Sequence, residues 1–102
     1  MKETKTRIEG TLYPFKTLLV GTPAIHSAMR ESREFCEFIL NSIQAYASHD
    51  WGEISSKDKE MNEKAVPRKE FIIGKYVYQD QSVFIITEWG HKTTTVCFCN
   101  ER

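Results

Sequence analysis

"EFIIGKYVYQDQSVFIITEWGHKTTTVCFC", residues 70–99, decides the fold. It contains three runs rich in β-branched and aromatic residues, 70–78, 82–89 and 93–99. Short polar connections, Gln79-Asp80-Gln81 and Gly90-His91-Lys92, separate them. The spacing predicts two consecutive hairpins and hence an antiparallel meander. Val83, Phe84, Ile85 and Ile86 are apolar on both faces, which marks 82–89 as the central strand.

The residues before the meander change period from two to 3.6. In "SREFCEFILNSIQAYASH" (32–49), Phe35, Ile39, Ile43 and Tyr46 make one stripe, widened by Cys36, Leu40 and Ala47, and Ser32 is the expected cap. "GTPAIHSAMR" (21–30) reads as a shorter helix with Thr22 at the N-cap and Pro23 at the first helical position. Its apolar residues are Ala24, Ile25, Ala28 and Met29. A third helix is expected from the Ser55-Ser56-Lys57-Asp58 cap, where Asp stands in place of Glu or Gln. It offers only Met61, Ala65 and Val66 to a core and should stop at Pro67. Farther back, "FKTLLVG" (15–21) reads as a strand closed by glycine, and the first ten residues as frayed or an edge strand. The expected fold is α+β: a three-stranded antiparallel C-terminal meander, plus a possible N-terminal strand, packed against two or three helices. An exposed edge at 93–99 would allow pairing across a homodimer.

Composition narrows the class. One domain is expected from 102 residues, with 40% hydrophobic and 27% charged residues typical of a soluble globular chain. Fourteen basic residues balance fourteen acidic ones. A neutral chain lacks the usual electrostatic footprint of a nucleic-acid binder, and also the negative excess of an acidic DNA mimic. No apolar run approaches a membrane span, and no apolar segment follows the basic N-terminal residues, so neither an anchor nor a signal peptide is expected. Three cysteines fit no disulfide framework, and reduced thiols in the cytoplasm are the default.

Chemistry is sparse. "HDWGEISSKDKEMNE" (49–63) gathers His49, Asp50 and Glu53 around Trp51, a conceivable acid/base set if the carboxylates converge on a pocket. Capping and turn rules explain the same residues: Asp50 and Gly52 suit a helix exit, and Trp51 can close the gap between sheet and helix. For metals, Cys97 and Cys99 fall on one strand face, but His26, His49, His91 and Cys36 show no ligand spacing to complete a site. No nucleophile signature, phosphate loop or dinucleotide fingerprint is present, and neither catalytic residues nor a cofactor are expected. The one Glu-x-Lys of a restriction-type nuclease is Glu3-Thr4-Lys5, with no Asp before it.

Aromatics remain. Trp51, Tyr76, Tyr78 and Trp89, with His91, are the candidate contacts for a protein partner, since Trp and Tyr are favoured anchors; Phe98 lies beside them on the sheet. The alternative is a nucleic-acid accessory protein using Arg68, Lys69, Lys75 and Lys92 with bases stacked on sheet aromatics.

"LLVGTPAI" (18–25), "DWGEISSKDKEMNEKAV" (50–66), "FIIGKYVY" (71–78) and "VFIITEW" followed by "TTTV" (83–96) resemble a small bacterial family met on plasmids, integrative elements and phages. Its members often carry a "type I restriction endonuclease" or "plasmid-related" label. The resemblance spans about residues 15–99; its most specific part is Asp50-Trp51-Gly52 with Asp58 and Asn62, joined to Ile85-Ile86-Thr87-Glu88. The chain departs from the family at Trp89-Gly90-His91-Lys92, where a polar Ala-Asp-Arg-Ser type turn is usual. It departs again at Cys99-Asn100-Glu101-Arg102, where a Pro-acidic-Tyr tail is usual. The resemblance implies a mobile-element setting. There, small neutral proteins without cofactors are often inhibitors of host defence, such as anti-restriction or anti-CRISPR proteins.

Overall fold

The C-terminal meander forms as its sequence predicts. In the computed structural model, which describes Ile8 and residues 10–102, β3 (Ile72–Tyr78), β4 (Gln81–Thr87) and β5 (Thr93–Phe98) pair antiparallel in succession. Tyr78 pairs with Gln81, so Gln79 and Asp80 alone turn the first hairpin, with Gln79 at positive φ.

The sheet is larger and less uniform than expected. β1 (Thr11–Leu12) and β2 (Thr17–Gly21) extend it to five strands in the order β1-β2-β5-β4-β3. β2 runs parallel to β5, with Leu18 opposite Thr93 and Gly21 opposite Val96, so the sheet is mixed rather than antiparallel. The predicted strand at 15–21 begins two residues late, because residues 13–16 form the turn between β1 and β2. β5 is the middle strand, flanked by β2 and β4; β4 lies between β5 and β3. The expected free edge at 93–99, and the homodimer pairing built on it, is therefore closed: both sides of β5 are already bonded. The predicted edge strand or frayed segment at 1–10 falls, apart from Ile8 and Gly10, outside the described residues, as does Glu3-Thr4-Lys5.

Each helix starts where its cap predicts. Thr22 Oγ1 accepts from Ile25 N for α1 (Pro23–Glu31), and Ser32 Oγ from Phe35 N for α2 (Arg33–Ala47). Ser55 Oγ accepts from Asp58 N for α3 (Ser56–Arg68). Pro67 does not stop α3; it lies in the last turn, and Lys69, in the left-handed conformation, caps the helix.

Alternation along the strands divides the sheet. Leu19, Val96, Val83, Ile85, Ile72 and Tyr76 face Ile25, Met29, Phe35, Ile39, Ile43 and Tyr46 of α1 and α2 in one core. The opposite face carries Leu18 and Val77 exposed, with Ile86 and Cys97 buried between their neighbours. α3 lies against β3 chiefly at its outer edge. The predicted core residue Met61 is 58% exposed, whereas Asn62 is buried, its amide bonding both the carbonyl and the N–H of Ile73. That edge would otherwise be open to other chains.

A chain of hydroxyls crosses the core. Thr17 Oγ1 lies 2.7 Å from Thr94 Oγ1, Thr94 Oγ1 2.8 Å from Thr87 Oγ1, and Thr87 Oγ1 2.7 Å from the Tyr46 hydroxyl. Tyr46 also reaches the Ile72 carbonyl. All four side chains are sealed from solvent, so each hydroxyl depends on its neighbours.

Candidate functional site

The stretch 49–63 is a structural joint. Ser48 ends α2, and His49 at φ 65° and Gly52 at φ 76° turn the chain back along β3. Lys75 N donates to Trp51 O (3.0 Å), and Glu53 N donates to Lys75 O (2.7 Å). At Gly52 any Cβ would overlap the Lys75 carbonyl oxygen, so the residue must be glycine. Trp51 is 2% exposed, packs edge-on to Tyr46 and stacks on His49. Glu63 of α3 binds both neighbours: Oε2 accepts from Trp51 Nε1 and Oε1 lies against His49 Nδ1, each at 2.8 Å.

These contacts hold His49 apart from Asp50 and Glu53. His49 belongs to Glu63, Asp50 Oδ1 accepts from Gly52 N, and Glu53 uses its backbone on β3. Among the described residues no hydrogen bond joins the three. Glu63 is the partner that sequence reasoning missed. The signal for it was a buried Trp, whose indole N–H needs an acceptor, with α3 the next element along.

The thiols do not form a pair on a strand either. β5 ends at Phe98, and Cys99 opens a 3-10 turn, Cys99–Glu101. Burial pushes both the Cys97 and Cys99 thiols up, away from the thiolate that binds soft metals. Among the described residues no three His, Cys, Asp or Glu side chains come together as a metal-holding group.

Of the five aromatic and histidine positions expected to meet a partner, three are interior. Trp51 is buried as above. Tyr76 donates to Asp50 O (2.7 Å), and burial, then Tyr46 and Asp50 beside it, hold its pKa far above the usual tyrosine value. His91 is 8% exposed, with Nε2 2.7 Å from Glu70 O. Tyr78 is half-buried against Phe35 and Phe38.

Trp89 alone of the five stands out, 68% exposed, in the turn between β4 and β5. That turn is held from three sides: His91 N bonds Glu88 O (3.0 Å), Gly90 N bonds Lys69 O (2.8 Å), and the His91 ring meets Glu70. Gly90 at φ 86° and His91 at φ 53° give it its shape. The indole borders a hollow of about 320 Å³ with Met61, Ala65, Glu70 and Phe71. Arg68 and Lys69, at the end of α3, and Lys92, in the turn itself, are exposed. Three of the four cations of the nucleic-acid alternative therefore lie on segments that meet at Trp89. Lys75 does not; it shares a cleft with Glu34, Glu37, Asp50 and Glu53.

Among the described residues no helix is long and apolar enough to cross a membrane. No family model, no curated protein and no solved structure matches this chain.

Proposed function

We propose that this protein is a non-enzymatic binding module whose contact with a protein partner centres on Trp89. The observation that carries the reading is a large aromatic side chain, 68% exposed, on a turn fixed by three hydrogen bonds. The turn backbone is already ordered, so binding has only the indole left to fix, and a large exposed tryptophan is the kind of side chain that anchors interfaces. Met61, 58% exposed, and the hollow beside Phe71 extend the apolar centre, and Arg68, Lys69 and Lys92 supply a cationic rim. In its finer form, supported by the mobile-element resemblance, the partner is a subunit of a host defence complex of the restriction or CRISPR type, which this protein would inhibit.

The test is affinity capture of the tagged protein from a host lysate containing its native defence systems, beside the Trp89→Ala variant. Trp89 makes no ring contact or hydrogen bond among the described residues, so the variant should keep parent stability within about 0.5 kcal/mol. A stoichiometric partner held by the parent and lost by the folded variant is the expected result. Equal capture by both removes Trp89 from the interface. Retention of nucleic acid in place of protein, weakening steeply with salt, would favour the cationic rim as a phosphate-binding surface.

A further inference from the structure

A second surface, independent of Trp89, lies at the outer edge of β3. Lys75 turns its backbone N–H and C=O outward to the 51–53 segment. By the alternation of an antiparallel ladder, Ile73 and Val77 turn outward as well. Ile73 is sealed by the Asn62 amide and Lys75 by Trp51 and Glu53, but among the described residues no hydrogen bond reaches the outward groups of Val77, which is 42% exposed. The edge is thus covered along two of its outward positions and open at the third.

The open position borders a cleft of about 520 Å³ between α2 and the 50–53 segment. Phe38, Ala45 and Tyr76 give it apolar lining, and of its charged lining residues four are acidic, Glu34, Glu37, Asp50 and Glu53, and one is basic, Lys75. Arg33 offsets Glu37 only weakly, at 3.7 Å between two exposed side chains. The chain as a whole is neutral, so this local negative excess is not a general property of the surface.

We propose that this cleft receives an extended, basic segment of a partner polypeptide. Its backbone would bond Val77 as an added strand, and its Arg or Lys side chains would meet the carboxylates of α2 and of the 50–53 segment. Strand addition supplies the main-chain bonds and the side-chain environment supplies the selectivity. The volume is within the range of ordinary ligand clefts.

The probe is a fluorescein-labelled nine-residue peptide alternating Arg and Thr, set against its Glu–Thr counterpart, a backbone N-methylated copy and spermine. Anisotropy at low salt should show binding of the Arg–Thr peptide alone among the peptides. The Glu34→Gln/Glu53→Gln variant should bind it at least tenfold more weakly, and so should the parent protein with the N-methylated copy. In a ¹H–¹⁵N spectrum the Val77 amide should shift on addition of the peptide. No binding of the Arg–Thr peptide, or binding unchanged in the double variant, overturns the proposal. Spermine competing as well as the peptide, with the N-methylated copy equally tight, also overturns it, because the cleft would then be recognising charge without backbone.

Discussion

Replacing Thr94 by valine should cost about 2–3 kcal/mol of stability, out of the roughly 5–10 kcal/mol usual for a domain of this size. Thr94 is the middle link of the hydroxyl chain, bonded to Thr17 on one side and Thr87 on the other. Valine keeps the shape and removes both bonds, each worth roughly 0.5–1.5 kcal/mol net. Thr87 still holds Tyr46, but the fully buried Thr17 hydroxyl is left with no other hydrogen bond among the described residues. An orphaned buried hydroxyl adds about 1–3 kcal/mol, offset in part by the apolar methyl that replaces the Thr94 oxygen. The Thr17→Val/Thr94→Val double variant removes the orphan and should be more stable than Thr94→Val by about 1 kcal/mol. Urea unfolding followed by the fluorescence of buried Trp51 reads this as a lower midpoint at constant slope. In a thermal scan the single variant should fall roughly 8–20 °C. If Thr94→Val stays within about 0.5 kcal/mol of the parent, or the double variant is the sum of the two singles, the hydroxyls do not depend on one another and the argument fails.

Gly52→Ala should be a second severe change, about 3 kcal/mol, because a Cβ there collides with the Lys75 carbonyl, at a φ that L residues adopt at a cost. Loss of slow hydrogen exchange at the Lys75 and Glu53 amides would report the broken pairing, and near-parent stability would contradict it. Tyr46 and Tyr76 hold their protons more tightly folded than unfolded, mainly because they are buried. The stability this represents is complete below the unfolded value of about 10 and is lost as pH rises beyond it. Absorbance at 295 nm should therefore show these two ionising only together with the loss of far-UV circular dichroism. Ionisation of both before any unfolding would refute the burial.

The helix starts and the meander were legible because local chemistry writes them: Thr22, Ser32 and Ser55 each bond the amide three residues on, and the strand runs are dense in β-branched residues. The parallel partnership of β2 with β5 was not, because it depends on which edge of the meander the N-terminal strand meets, and Leu18 carries no mark for Thr93. Asn62 and Met61 show a related limit. Periodicity puts Met61 inward, yet α3 turns Asn62 to the β3 edge, where an amide can stand in for a neighbouring strand. At the candidate surfaces the aromatic residue types were right for anchors, but exposure is tertiary. Trp51 and Trp89 sit in near-identical contexts, Asp-Trp-Gly and Glu-Trp-Gly, and only the helix that follows Trp51 hints at which indole finds an acceptor. The acidic cleft escaped notice because Glu34 and Glu37 on α2 meet Asp50 and Glu53 only after the chain reverses at His49.

The parallel pairing of β2 with β5 also sets an order of events during synthesis. Leu18 and Thr93 are separated by roughly 75 residues of chain, so β2 emerges long before the strand it needs. Until then Thr17 lacks Thr94 as well, and both the hydrogen-bonding side of β2 and its buried hydroxyl are uncommitted. The helices can form on their own caps in the meantime, but the sheet cannot be completed from the N-terminus onward. A ribosome that stalls between β4 and β5 would hold out a nascent chain with an unpaired strand on each side of the gap, the kind of intermediate that chaperones shield and proteases recognise.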